Sequence, residues 1–483
     1  RLPARVATRA ATARVLRRCI AIAVSALGAG TLGAQIAPRP GVERPAAVRA
    51  TAADTLAVRT ARAGVADVPS GIDSLVTSAL AVNPAIRAVR ARIEAARARV
   101  TPAGLLPDPV LMAGVQNFPV SEPGFADFMT MKMIGIGQNL PYPGKLTLRR
   151  QAARREVEAA EAGLAAVARQ VERDVRSAYY ELSFVEQAIE VVERNQAILV
   201  QFIRAAEVRY GVGQAEQQDA LRARLEATRL AEQAVALTEQ QRAALARLNA
   251  SLDRPTETPV PTPRVPERVA RAAVANSADR VRFVSGALGA RAADSPLPAL
   301  TELQETALRT SPMLREQEAM LAAQAARVEL ARREYLPDFD LSVQYGQRRG
   351  FSDMVTATVS VPLPLQKRRR QDQQVAEARA DLASLEAERA TRRNEIRADV
   401  ARLYSDLERQ RAQLALYVKA IIPQGRASLT SATASYQVGR VEFLTVLENQ
   451  ATLFNYETEY FRTLSDFATT LAELEQVVGQ EIL

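Results

Sequence analysis

Three methionines at alternate positions, Met129, Met131 and Met133, carry the donor atoms of this sequence that a soft metal ion would choose. Thioethers suit Cu(I). A methionine stripe at strand spacing is more often a packing or lipid-facing surface. The chain has no His and one cysteine, Cys19. Without His, a Ser/His/Asp or Cys/His catalytic set cannot exist, and without His or a second Cys a conventional zinc or copper site is not expected. No Walker-type phosphate loop occurs. The sequence names no catalytic residue, cofactor or resident metal site. The expectation is a protein that is not an enzyme and whose work is powered by a partner.

Two further groups stand out by spacing. Tyr210-Gly211-Val212-Gly213 and Tyr436-Gln437-Val438-Gly439 are near-copies, flanked by Arg209 and Arg440. Each reads as a helix C-cap, with Gly211, Gly213 and Gly439 free to take positive φ. Carboxylates follow both turns, Glu216 and Asp219 after the first, Glu442 and Glu448 after the second.

These near-copies belong to a longer internal repeat. Asn83-Pro84 is echoed by Ser311-Pro312, and Leu106-Pro107-Asp108 by Leu336-Pro337-Asp338. Val175–Tyr179 is echoed by Val400–Tyr404, and all offsets fall between 225 and 230. The two copies are expected over 71–253 and 299–479. A proline-rich linker, 254–298, separates them.

Each copy repeats one succession of elements. A helix is expected at 72–105 and again at 300–335. A hairpin follows, with strands at 108–118 and 127–141, then 338–348 and 352–364. Next comes a very long helix, 145–209 or 367–435. A last helix covers 214–252 or 440–478. Apolar residues in the long helices step by four and three: Val171, Val175, Ala178, Leu182, Val185, Ile189 and Val192, then Leu199, Ile203, Ala206 and Tyr210. The second copy continues with Ile396, Val400, Leu403, Leu407, Gln410, Leu414, Tyr417 and Ile421. A mean step of about 3.5 is coiled-coil spacing, and Pro423 should kink the second long helix. At ~1.5 Å per residue a 65-residue helix spans about 98 Å. Two shorter helices stacked end to end would match it.

The strands alternate. Asp340, Ser342, Gln344 and Gly346 interleave with Leu341, Val343 and Tyr345; Thr356, Thr358 and Ser360 interleave with Val355, Val359 and Val361. This is the mark of a barrel wall with one apolar and one wet face. Met129, Met131 and Met133 are expected on one face of the less regular first hairpin. Four strands cannot close a barrel, and open edges are not tolerated in lipid. Assembly is therefore required; three chains would give twelve strands and two would give eight.

The remaining segments concern targeting. Residues 1–34 read as a secretory signal, with Arg14, Arg17 and Arg18 before an apolar run from Cys19 to Leu27. Six arginines and no acid lie there, so without it the net charge of +9 falls to +3. The basic pI is then no nucleic-acid footprint. Cys19 opens the apolar run instead of following it, which argues against a lipidated cysteine. Residues 35–70 are expected to be a flexible N-terminal segment.

Taken together, the doubled Tyr-x-x-Gly turns, the doubled Leu-Pro-Asp motifs and Pro141-Tyr142-Pro143-Gly144-Lys145 resemble the TolC family of outer-membrane efflux proteins. Within it, the Pro-x-Pro-Gly-Lys and Leu-Pro-Asp-Pro segments look most like the branch paired with heavy-metal pumps of the resistance-nodulation-division type. The resemblance implies a mainly α, mixed fold: a homotrimer with a 12-stranded outer-membrane β-barrel and a coiled-coil α-barrel in the periplasm. It implies a passive efflux duct with a periplasmic adaptor (membrane fusion protein) and an inner-membrane pump as partners. It places Arg209, Tyr210, Gly211, Val212, Gly213, Tyr436, Val438, Gly439 and Arg440 at the tip where the adaptor docks, with Arg209, Tyr210, Val212, Tyr436, Val438 and Arg440 exposed there. It places Glu448, Glu442 and Asp219 at the entrance constriction, although Thr445 stands where another acid is usual. Two other readings stay open: the exit duct of a type I protein secretion system, and a periplasmic coiled coil with no pore.

Overall fold

The computed structural model describes residues 71–120, 124–125, 127–214, 216–261, 263–274, 297–363 and 365–482. The expected signal (1–34), the N-terminal segment (35–70) and much of the linker lie outside the described residues. Helices α1 (Ile72–Val82) and α2 (Pro84–Ala103) lead to β1 (Val110–Gln116) and β2 (Met131–Leu140), then to α3 (Lys145–Gly211), α4 (Gln217–Ser251) and α5 (Glu267–Val274). The chain resumes with α6 (Leu300–Thr310), α7 (Pro312–Arg333), β3 (Phe339–Arg348) and β4 (Met354–Ser360). It then runs through α8 (Gln371–Leu416), a π-helical turn (Tyr417–Ile421), α9 (Ile422–Gln437) and α10 (Phe443–Val478).

The continuous helices expected over 72–105 and 300–335 are each broken in two. Pro84 and Pro312 have no amide hydrogen to donate and bias the preceding residue away from helical backbone; Asn83 and Ser311 have ψ of 128° and 119°. Both breaks are tied to a distant helix end. The Asn83 side chain accepts from the Ala85 amide at 2.9 Å and donates to the Ser251 carbonyl at 2.8 Å, where α4 finishes. The Thr310 hydroxyl donates to the Val478 carbonyl, where α10 finishes against Gly479. The strands are shorter than expected, because Met129 and Thr130 fall in a turn ahead of β2.

Helix α3, 67 residues long, spans about 100 Å. It packs on α2 and α7 over one part and on α4 and α10 over the other; α8 lies against α6, α7 and α10. Short helices thus stack alongside long ones. Of the coiled-coil positions, Val171, Val175, Ala178, Leu182, Val185, Val192, Leu199 and Ala206 are buried, Ile189 and Ile203 are half-buried and Tyr210 is exposed; Ile396, Val400, Leu403, Leu407, Gln410 and Leu414 are buried. Tyr417 and Ile421 depart from that pattern, since the disturbance expected at Pro423 takes the form of the π turn just before it. An extra residue in the turn absorbs the carbonyl that the proline ring would strike.

The strands form one antiparallel sheet in the order β1-β2-β3-β4. Across β2 and β3, Ile136 faces Val343 and Gly137 faces Ser342; across β3 and β4, Val343 faces Ala357 and Ser342 faces Thr358. Lys145 anchors this sheet to the helices. Its ammonium, 1% exposed, donates to Asp338 at 2.8 Å and to Glu334 at 3.0 Å. Asp338 also accepts from the Tyr142 amide at 2.9 Å. Burial pushes the Asp338 carboxyl up, but the hydrogen bonds from Lys145 and Tyr142 prevail and hold it below the usual range.

Candidate functional site

Two regions lie at the two ends of α3. The first is the sheet. Strict alternation puts Leu111, Val115, Ile134, Ile136, Leu341, Val343, Tyr345, Val355 and Val359 on one face, all exposed. Such an apolar surface on an isolated chain marks an interaction with another apolar phase. The opposite face carries Met112, Gln116, Met131, Met133, Ser342, Gln344, Thr356 and Thr358, with Gly114, Gly135, Gly137 and Gly346 between them. Along β2 and β3 this small and polar face is the more covered one. Of the expected methionine stripe, Met131 and Met133 share that face. Met129 does not belong to it; its amide is held in the preceding turn by Asp127 at 2.8 Å.

The second region comprises the two turns. Each helix closes with a pair of crossed hydrogen bonds. Gln214 donates to the Arg209 carbonyl at 2.8 Å and Gly213 to that of Tyr210 at 3.0 Å. In the second turn Arg440 donates to the Ser435 carbonyl at 2.9 Å and Gly439 to that of Tyr436 at 3.0 Å. These are Schellman caps, with Gly213 at φ +69° and Gly439 at φ +73°. Gly211 is not among the positive-φ residues and completes α3 as an ordinary helical residue. The structure joins the turns. The Arg209 guanidinium donates to the Tyr436 carbonyl and lies 4.5 Å from that ring's centroid.

The expected exposure holds for Tyr210, Val212, Val438 and Arg440, with Val212 at 65% and Val438 at 68%. It fails for Tyr436, which is 9% exposed, and for Arg209, which is half-buried. That ring is covered by Arg209 on one side and packs 5.2 Å from Phe443 on another. Of the three expected constriction carboxylates, Asp219 and Glu442 fall near each other. Burial raises the Asp219 carboxyl, and the charges of Glu216 and Glu442 raise it further. Glu448 lies more than a helical turn farther along α10 and is exposed.

Sequence reasoning missed three features. Met112 and Met354 join Met131 and Met133 on the small and polar face, and the even-odd alternation of β1 and β4 could have revealed them. The Lys145–Asp338 contact joins two motifs singled out separately, 193 residues apart. The third, Glu457 between Arg194 at 3.2 Å and Arg426 at 2.8 Å, links three helices and left no local signal. Among the described residues, no group of three or more His, Cys, Asp or Glu could hold a metal ion, and no helix is long and apolar enough to cross a membrane.

The sequence matches the family profile described as outer membrane efflux protein over residues 75–254 and 303–480. It is 24% identical over 340 residues to the cobalt-zinc-cadmium resistance protein CzcC of Cupriavidus metallidurans, covering 70% of this chain and 74% of that protein. The fold is similar to that of the outer-membrane channel OprN, with a TM-score of 0.67 and 19% identity over 84% of this chain and 89% of that one. It is similar also to the outer membrane protein VceC of Vibrio cholerae, with a TM-score of 0.67 and 18% identity over 85% and 97% of the two chains. A four-stranded antiparallel sheet on a long helical body, with a profile match spanning most of both halves, makes this chain a member of the outer membrane efflux protein family.

Proposed function

We propose that three copies of this chain form a duct that passively carries heavy-metal cations or small toxic compounds across the outer membrane. A periplasmic adaptor and an inner-membrane resistance-nodulation-division pump supply the cargo and the energy. The observation that carries this reading is the sheet, one face of which is apolar and exposed and whose outer strands, β1 and β4, each pair on one side only. Buried in lipid, an unpaired backbone group costs roughly 2–7 kcal/mol. Several such groups on each seven-residue edge would exceed the about 5–15 kcal/mol that stabilises a typical domain. Copies of the chain must therefore complete one another's edges. Ten-residue strands rise about 34 Å and, tilted by about 40°, span about 26 Å, the height of an outer-membrane apolar band.

The exposed Tyr210, Val212 and Val438, carried on the two rigidly capped turns, suit an apolar contact with the adaptor. Asp219 and Glu442 lie beside them, and threefold symmetry would repeat those charges around an entrance and focus their field. The similarity to CzcC favours metal cations as the cargo. Purified protein added to planar lipid bilayers tests the duct. Stepwise conductance from a three-chain particle is expected; a water-soluble monomer without conductance would end this reading.

A further inference from the structure

Lys145 and Asp338 fasten the end of β2 to the start of β3. Leu140, the last residue of β2, lies opposite Phe339, and Asp338 immediately precedes Phe339. Lys145 follows as the first residue of α3. The chain carries a second set of the same parts, divided between its two outer strands. Asp108 precedes β1 in the other Leu-Pro-Asp motif, and Lys367, Arg368, Arg369 and Arg370 lie between β4 and α8. All five side chains are exposed, and none forms an ion pair among the described residues. Exposed arginines elsewhere do, as Arg97 with Glu94, Arg332 with Glu329 and Arg392 with Glu395. Asp108 is the only acid between Glu94 and Glu122, and no acid lies between Asp353 and Asp372. Asp372 itself accepts from the Tyr335 hydroxyl. Gln371 stands where Lys145 stands in the first half, as the first residue of the long helix. It is 8% exposed, and its Oε1 has no hydrogen-bond partner among the described residues. The charge that α3 carries on its first residue is thus moved, in α8, onto the preceding turn. That turn is ordered by its backbone: the Arg369 and Arg370 amides both donate to the Gln366 carbonyl at 3.0 Å.

We propose that Asp108 of one copy pairs with the run Lys367–Arg370 of the next, repeating between chains the Lys145–Asp338 joint found within each. The inference rests on the reading of the sheet as part of a closed barrel, and it names the contact that ties neighbouring copies together. Successive strands alternate in direction, so β1 and β4 run antiparallel. A second copy's β1 laid against β4 therefore brings a strand start to a strand end, as at β2 and β3. Alone, each charge is solvated and stabilises little. Closing the edge excludes water and strengthens the attraction, and an arginine fork can hold a carboxylate through two parallel hydrogen bonds. Three chains would stand on six such joints, alternating within and between copies. A patch for anionic lipid headgroups would need the cations alone and would give Asp108 no part.

The test is a double-mutant cycle on the full chain in detergent, read as the rate at which the assembled particle dissociates in urea on gels. Asp108→Asn should speed dissociation at least about threefold. Neutralising the run, with Lys367, Arg368, Arg369 and Arg370 each changed to Gln, should do the same. Adding Asp108→Asn to that neutral run should then have no further effect, since its partner is already gone. Effects that multiply would overturn the joint and leave the cations to lipid headgroups. A second measurement does not depend on stability. Asp108→Cys, combined in turn with Cys at 367, 368, 369 and 370, should give at least one pair that oxidises between copies; no crosslink at any of the four would also overturn it. Bilayer conductance of the parent separates the two readings. A conducting parent with a multiplicative cycle removes the joint and leaves the duct, whereas a parent that neither assembles nor conducts removes both.

Discussion

At the joint between sheet and helices, an ammonium with almost no access to water has two carboxylates for company. Lys145→Met keeps the volume and removes the charge. A partner lost from a fully buried pair costs about 3–5 kcal/mol; Glu334 and Asp338 stay partly wetted, so about 2–3 kcal/mol is expected here, read as a lowered urea midpoint in detergent. The same joint gives stability a pH dependence of known sign. The folded-state pKa of Asp338 lies below its ordinary 3.8. Its contribution is therefore present above about pH 4 and is lost as the pH falls through the folded value. Asp338→Asn should flatten the acid limb of the unfolding curve in that window, and a limb that kept its slope would discount the contact. At the other end of α3, Gly439 holds φ +73° in its cap. Gly439→Pro forbids that conformation and should abolish efflux while the strands remain membrane-inserted. Efflux that survived would remove this turn from the docking tip.

Among the elements, the strands make the sharpest contrast. Ile136 and Thr356 both lie in the sheet, on opposite faces. An arginine on the lipid face near the midplane costs about 2–4 kcal/mol, whereas lumen substitutions tune selectivity. Ile136→Arg is thus expected to reduce the membrane-inserted fraction, measured by heat-modifiable mobility on gels. Thr356→Arg should insert normally and shift conductance toward anions. Reversed outcomes would exchange the two faces. The helices divide the work differently. Asn83 and Thr310 each sit where a proline has interrupted a helix, and each binds the last carbonyls of a helix that arrives from far along the chain. A break that would weaken an isolated helix becomes a weld between two stacked ones.

For the whole molecule, the unpaired edges of β1 and β4 decide the assembly. Cysteine pairs scanned between Val110–Gln116 of one copy and Met354–Ser360 of the next should include positions that oxidise to covalent trimers. Gels would then show a ladder ending at three chains. A ladder ending at two would mean an eight-stranded barrel, and its absence at every register would reject edge-to-edge closure. A barrel of twelve strands would hold the small and polar faces, with their glycines and methionines, around a single lumen.

What the sequence determined alone was everything set by local periodicity. The four-three spacing from Val171 to Ala206 requires a helix with one buried stripe, and the alternation from Asp340 to Val361 requires a two-faced strand; neither depends on distant residues. The proline breaks, which the expected continuous helices ran through, have an equally local cause in Asn83-Pro84 and Ser311-Pro312, since the missing amide hydrogen acts on its own neighbours. Contacts between distant segments were decided only in three dimensions. Nothing near position 436 announces that Arg209 will cover Tyr436, and nothing near 145 announces Asp338. That the Met131 sulfur lies over Gly346 follows only from the register of β2 against β3. Periodicity fixes which way a side chain faces along its own segment, whereas its neighbour is chosen by the packing of segments that the chain brings together from hundreds of residues apart.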